Sequence, residues 1–347
     1  MRILLVDTTL YEPATPLFLD ALRELGCDYR FVDEAAFTRP LERSLLHKVG
    51  YRVLHRRPLT SWRFNRVLLS EARRFRPQLV LAVKAPYIMP STLRRIKRET
   101  GARLVNYATD DPFNPANTTP DLLGGIPCYD LYACTKRAIM EDVRRAGCDN
   151  VAYVPFGYNP SVHFPEAPAT PAERESFRSD VVLVGGADPD RLPYVEALAR
   201  LDGLSLALYG GYWSRHPRLR PYARGFARGR DYRLALGGAK IALCLVRRAN
   251  RDGHAMRSFE IPACGAFMLA ERTEEHRELF REGLEAAFFG SAEELCEKVR
   301  YYLAHDDERV RIARAGHKRI ATGGHTYCHR LAQIVRFAGE VIGRSPV

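Results

Sequence analysis

The sequence contains no apolar run near the ~20 residues that a membrane-spanning helix requires, so a transmembrane protein is not expected. Its first residues, Met1 to Asp7, meet an acid too early for a secretory leader, and the expectation is a cytoplasmic enzyme. The eight cysteines, Cys27, Cys128, Cys134, Cys148, Cys244, Cys264, Cys296 and Cys328, are scattered without a Cys-x-x-Cys pair, which argues against zinc and disulfide frameworks. No Gly-x-Gly-x-x-Gly follows the first strand-like run, so a dinucleotide site at that end is disfavoured. Nor does any nucleic-acid-binding motif accompany the positive charge, and nucleic acid is not an expected partner.

What is present fits a folded two-domain protein. A chain of 347 residues is long for one domain and ample for two, each able to bury a core. With 46% hydrophobic and 27% charged residues, disorder is not expected. The net charge of +12 is partly local, because eleven bases lie between Arg39 and Arg76 against only Glu42 and Glu71. Leu45, Leu54, Phe64 and Leu68 stand at helical spacing in that stretch. It reads either as two amphipathic helices with a solvated basic face, or as a peripheral contact with an anionic membrane or an anionic acceptor.

In chain order, Arg2 to Val6, a helical pattern from Thr15 to Gly26, and Tyr29 to Val32 give the β-α-β opening of a doubly wound parallel sheet. Leu79 to Val83 is a near-continuous apolar strand ended by Lys84. Ala102 to Tyr107 then delivers Asp110 and Asp111 to the same sheet edge, where one acid could orient or deprotonate a hydroxyl, or simply cap an Asp-Pro turn. Tyr129 to Thr135 and Val151 to Pro155 complete this half, and residues 164–178, rich in Pro, Ala, Glu and Arg, read as a linker. The pattern restarts with Asp180 to Gly186. Gly185 and Gly186 permit close backbone approach, and Arg191 could neutralise a diphosphate, although a plain glycine turn has the same look. Asp188-x-Asp190 lies at a helix start and is not read as a metal site; no metal is expected. Tyr212 and Trp213, closing the next strand, could wall a base or pack internally.

The densest constellation follows the apolar run Ile241 to Val246. Arg247 ends that strand, and Asp252-Gly253-His254-Ala255-Met256-Arg257-Ser258-Phe259-Glu260 reads as a turn and a helix of about two turns, before a second strand at Ala266 to Ala270. Helix amides at a strand's carboxyl end suit an anion. Asp252 and Glu260 then stand at opposite ends of the helix, Glu260 deep enough to accept from sugar hydroxyls. His254 and Arg257 are its cationic companions facing a diphosphate, with a plain helix cap as the other reading of the histidine. Thr273 could cap the next helix and touch a phosphate.

The run HAMRSFEIPACGAFMLAERTEEHRELFREG, the later EELCEKVRYYLAHDDERVRIARAG and HTYCHR, together with Asp110-Asp111-Pro112, resemble the CgeB-like glycosyltransferases, a retaining group with the GT-B fold. In the wider retaining class a Glu-x7-Glu motif ends in Glu-x-x-Ala-Cys-Gly. Glu260 to Gly265 matches its second half, and Asp252 stands at the first glutamate. The resemblance implies two Rossmann-like domains facing a cleft. Residues 1–163 would bind the acceptor, 179–325 the nucleotide-sugar, and the helix in 326–347 would cross back onto the first domain. It also implies a metal-independent glycosyltransferase without a cofactor, using a nucleotide-diphosphate-sugar with UDP favoured and a glycosyl acceptor as substrates. A nucleotide-sugar epimerase and a non-catalytic carbohydrate- or partner-binding protein of the same fold are the alternatives.

Overall fold

The computed structural model describes residues 1–8, 18–38, 58 and 60–342. They divide into two units, Met1–Pro155 with the chain from Tyr327 onward, and Phe156–Thr326. In the first, β1 (Arg2–Asp7), β2 (Asp28–Asp33), β3 (Leu79–Val83), β4 (Arg103–Ala108), β5 (Leu131–Cys134) and β6 (Val151–Tyr153) form a sheet in the order β2-β1-β3-β4-β5-β6. Every pairing is parallel. Parallel strands need crossover helices, which cover both faces, and so β3 is buried at every position.

Alternation along the strands sorts the core into two layers. Leu4, Val6, Val80 and Leu104 pack with Phe64, Leu68 and Ala72 of helix Ser61–Phe75. On the opposite face Ile3, Leu5, Leu81 and Val105 meet Leu22, and also Tyr327, Leu331 and Ile334 of the C-terminal helix Tyr327–Ile342. That helix therefore belongs to the first sheet's packing. Of the basic stretch Arg39 to Arg76, residues 39–57 and 59 lie outside the described residues. In the described part the apolar stripe of helix Ser61–Phe75 is buried, Arg63 and Arg66 are exposed, and Arg73 and Arg74 bond Glu99 and Glu71.

The second unit is built the same way from β7 (Ser179–Val184), β8 (Leu206–Tyr209), β9 (Ala239–Cys244), β10 (Met268–Glu271) and β11 (Ala287–Phe289), in the order β11-β10-β9-β7-β8 and again parallel. Its start differs from the sequence reading. Phe156 and Tyr158 sit in the second unit's core, and the expected linker contains a helix, Pro171–Phe177. Thr170 and Glu173 form a reciprocal capping box with Pro171 at the first turn, and Glu166 pairs with Arg230 and Arg233 at 2.7 Å each. A Pro- and charge-rich composition concealed a well-capped helix.

Both sheets reverse strand order once, between β1 and β3 and between β7 and β9. Outside the carboxyl ends of those strands the crossovers diverge and leave a crevice, the usual ligand position in open α/β sheets. At the second of these points the backbone of Gly210 (φ +134°) lies against Gly185, and a Cβ on Gly210 would fall well inside van der Waals contact of the Gly185 carbonyl. Gly203 has φ +74° but open space around it. Gly210→Ala should therefore cost about 2–4 kcal/mol and Gly203→Ala only ~1–2 kcal/mol, measured by urea unfolding. Equal losses in the two variants would show that backbone conformation alone governs position 210.

Candidate active site

The turn after β7 brings three guanidiniums together. Arg191 reaches back and donates from Nη1 to the Gly186 carbonyl at 3.0 Å, and a side chain at Gly185 would collide with it. Arg257 donates from Nε to the carbonyl of Val184, the last residue of β7, at 3.0 Å. Arg247, just past β9, donates from Nε to Asp188 at 2.7 Å. Burial lowers the Arg191 pKa, and the charges of Arg257 and Arg247 lower it further against the opposing pull of Asp188. Like charges are thus held close together, while the buried Nε of Arg191 has no hydrogen-bond partner. An anion is the group that would complete this arrangement.

Glu260 lies one turn along the helix Arg257–Ala263 and is 4% exposed. Its Oε2 accepts from the Tyr232 hydroxyl and from Arg257 Nη1, both at 3.0 Å, and its Oε1 faces His163 Nε2 at 3.7 Å. Burial pushes the carboxyl up, but Arg257, His163 and Tyr232 outweigh it and hold it below the usual carboxylate range. Glu260 is therefore an ionised acceptor inside the protein.

The neighbouring loop is organised by histidines in internal bonds. The His254 ring, 1% exposed, accepts the Phe156 amide at Nε2 (3.1 Å) and bonds Glu275 through Nδ1. The Glu275 carboxylate lies where a side chain at Gly253 would have to go. A second buried ring, His276, donates from Nδ1 to the Glu271 carbonyl and accepts at Nε2 from Ser258, both at 2.7 Å, while Ser258 Oγ accepts the Ala255 amide at 3.0 Å.

In the first unit β3 ends in two left-handed residues that are not glycine, Lys84 (φ 57°) and Ala85 (φ 43°), a strained arrangement that its surroundings must maintain. Lys84 Nζ pairs with Asp110 at 2.6 Å. Asp111 is buried and accepts the Phe113 amide at 2.9 Å. Buried Lys136 donates to the Thr109 carbonyl at 2.6 Å, fixing the start of the acidic loop. Nearby, buried Glu34 accepts the Tyr87 amide, and burial raises its pKa to about 8. This edge carries acids and a base side by side.

Residues 191–336 match a family model described as glycosyl transferase-like. No curated protein matches the chain. Among solved structures, the chain resembles Anabaena HepE in complex with UDP, at 14% identity, covering 98% of this chain and 100% of that one with a TM-score of 0.66. It also resembles sucrose-phosphate synthase from Thermosynechococcus elongatus, at 12% identity over 99% and 100% of the two chains with a TM-score of 0.68. Trehalose 6-phosphate synthase from Burkholderia multivorans is similar at 12% identity over 98% of each chain, with a TM-score of 0.63. The chain has the GT-B fold of these enzymes, and residues 191–336 carry the likeness to the transferase family.

Set on this fold, the residues singled out in the sequence fall into three groups. Gly185, Gly186, Arg191, Arg247, Arg257 and Glu260 gather around the ends of β7 and β9. Asp110 and Asp111 share one loop of the first unit. The third group takes internal roles. The helix begins at Arg257, not at Asp252, so Asp252 and Gly253 lie in a preceding loop and present no helix amides. Asp252 instead accepts from Asn250 Nδ2 at 2.9 Å. His254 cannot offer a ring nitrogen to a diphosphate, since both are bonded internally. Thr273 caps helix Glu274–Leu279 and donates its hydroxyl to the Gly253 carbonyl, which leaves no proton for a phosphate. Trp213 is buried with Nε1 on the Gly185 carbonyl at 2.7 Å, whereas Tyr212 is exposed beneath Arg215. Asp188 and Asp190 bind Arg247 and the Ala249 amide. Tyr232 and His163, which complete the setting of Glu260, were not identified from sequence, because neither lies in a local motif.

His276 gives this loop a pH dependence. Burial brings its pKa down to about 4 from an ordinary 6.5. Between those values the unfolded chain binds the extra proton, so stability is present at neutral pH and declines as pH falls from 6.5 toward 4. The loss attributable to His276 between pH 7 and pH 5 should be about 2 kcal/mol, measured by urea unfolding, and should be absent from His276→Gln. Parallel pH profiles for the two proteins would contradict the assignment.

Proposed function

We propose that the enzyme transfers a sugar from a nucleoside diphosphate sugar, with UDP as the favoured nucleotide, to an acceptor hydroxyl, with retention and without a metal. The observation that carries the donor half is the buried, unpartnered Nε of Arg191 within a group of three guanidiniums at the β7–β9 crevice. A diphosphate supplies the charge and the acceptors that this group lacks. Glu260, ionised and anchored by Tyr232 and Arg257, would accept from the ribose hydroxyls. HepE, described in complexes with UDP and with UDP-glucose, supports the choice of nucleotide through its shared fold.

The same groups serve the reaction. As the bond to the sugar breaks, negative charge grows on the leaving diphosphate, and preorganised cations stabilise it more in the transition state than in the bound donor. The leaving oxygen can then take the proton of the incoming hydroxyl, which is how retention follows without a protein nucleophile. Asp110, held by Lys84, would orient the acceptor, and His254 would act only by positioning the loop.

UDP at about a hundred times its Kd should raise the melting midpoint by about 5 °C, with and without EDTA. Glu260→Ala should abolish most of the preference for UDP over pyrophosphate, and Arg247→Gln should reduce the preference for UDP over uridine. If no nucleoside diphosphate shifts the midpoint, the donor assignment is wrong; a shift that requires divalent metal would defeat the metal-independent part alone.

A further inference from the structure

Asn106 and Tyr132 are directly paired neighbours on β4 and β5, with side chains on the same face of the first unit's sheet. Both are fully buried, and both carry a polar atom without a hydrogen-bond partner, Asn106 Oδ1 and the Tyr132 hydroxyl. Two such groups on neighbouring residues of one sheet face are uncommon, because each unsatisfied buried group costs about 1–3 kcal/mol. Both residues line one small pocket, which Asp110 and Asp111 of the acidic loop also line. The Asn106 amide is oriented: its Nδ2 donates to the Lys84 carbonyl at 3.2 Å, within the strained turn that ends β3. Oδ1 is therefore an acceptor, and Tyr132 can both donate and accept.

We infer that Asn106 and Tyr132 recognise one alcohol group of a carbohydrate or polyol acceptor. The inference rests on the glycosyl transfer proposed above. An alcohol donates its proton to Asn106 Oδ1 and exchanges a hydrogen bond with Tyr132, satisfying both orphaned atoms. Its carbon meets the apolar side of the pocket, formed by Ala108, Pro112 and Leu122. A second cation in place of the alcohol is disfavoured by Lys84 on the same pocket. Specificity follows from the cost of burial, since an acceptor lacking this hydroxyl leaves both protein groups unpaired. A trapped water is the rival occupant.

Tyr132→Phe separates them. It removes only a hydroxyl that has no partner, so the ligand-free midpoint should stay level or rise slightly. Saturation-transfer NMR with glycerol, myo-inositol, glucose, galactose and mannose, in the presence of UDP, should show saturable binding of at least one compound to the wild type. Tyr132→Phe should weaken that binding about tenfold while the UDP-induced midpoint shift stays unchanged. A midpoint lowered by several degrees with sugar binding intact would assign the pair to a structural water and overturn the inference. UDP binding without binding of any of these compounds would overturn it as well and leave the donor site standing. Absence of a UDP shift in the wild type would instead remove the transferase reading on which the inference depends.

Discussion

The pairing of Arg257 with Glu260 holds the second unit's site together. Glu260 is buried, and an isolated carboxylate there would be protonated or would not be tolerated. Arg257, three residues earlier on the same short helix, keeps it ionised, and the same guanidinium donates to the final carbonyl of β7. One side chain thus fixes the helix against the strand, preserves a buried charge, and adds a cation beside Arg191. Tyr232 shares the same carboxylate oxygen and leaves the other one turned toward His163. Removing Arg257 would disturb all of these at once, so its loss is a poor measure of anion affinity, whereas Arg247, whose side chain is held by Asp188 at the edge, is a cleaner probe.

Around that pair the motif loop is held by a network of buried contacts. Gly253 must lack a side chain because the Glu275 carboxylate occupies the place. Glu275 stands there to bond His254, and His254 in turn takes the Phe156 amide. The chain entering the second unit is thereby tied to the loop that precedes the helix Arg257–Ala263. The network explains why a histidine in a motif rich in catalytic residue types is buried: its two ring nitrogens join the Phe156 amide to the Glu275 carboxylate, which a surface histidine could not do.

The sheets were legible in the sequence because a buried parallel strand is an unbroken apolar run, as Leu79 to Val83 and Ile241 to Cys244 are. The carboxyl-edge positions of Gly185, Arg191, Arg247 and Glu260 followed from strand order. Less accessible were features that depend on distant partners. Whether the helix started at Asp252 or Arg257 turned on the hydrogen bond that Asn250 donates to Asp252 and the one that Ser258 accepts from the Ala255 amide, and composition alone made a linker of a segment that Thr170 and Glu173 cap as a helix. The acidic loop was visible as Asp110-Asp111, but the role of Asn106 was not: an asparagine within an apolar strand acquires meaning only when Tyr132, 26 residues on, is found beside it with its own hydroxyl unmatched.

The two sheets place their candidate sites at equivalent points of strand order and equip them with different chemistry. At β7 and β9 the groups are permanent cations, with Asp188 and Glu260 offsetting only part of their charge, which suits a ligand whose charge is fixed and grows during reaction. At the end of β3 and along β4 each charge has a partner, Lys84 on Asp110, Asp111 on the Phe113 amide and Lys136 on the Thr109 carbonyl, and the buried atoms left unmatched there are the neutral ones of Asn106 and Tyr132. Such a site gains little from a charged ligand and much from one that is neutral and bears hydroxyls, since desolvated polar atoms discriminate by whether they are matched. The fold supplies both positions from one topological rule, and the side chains at the strand ends make them differ, a surplus of cations at β7 and β9 and unmatched neutral hydrogen-bonding atoms along β4.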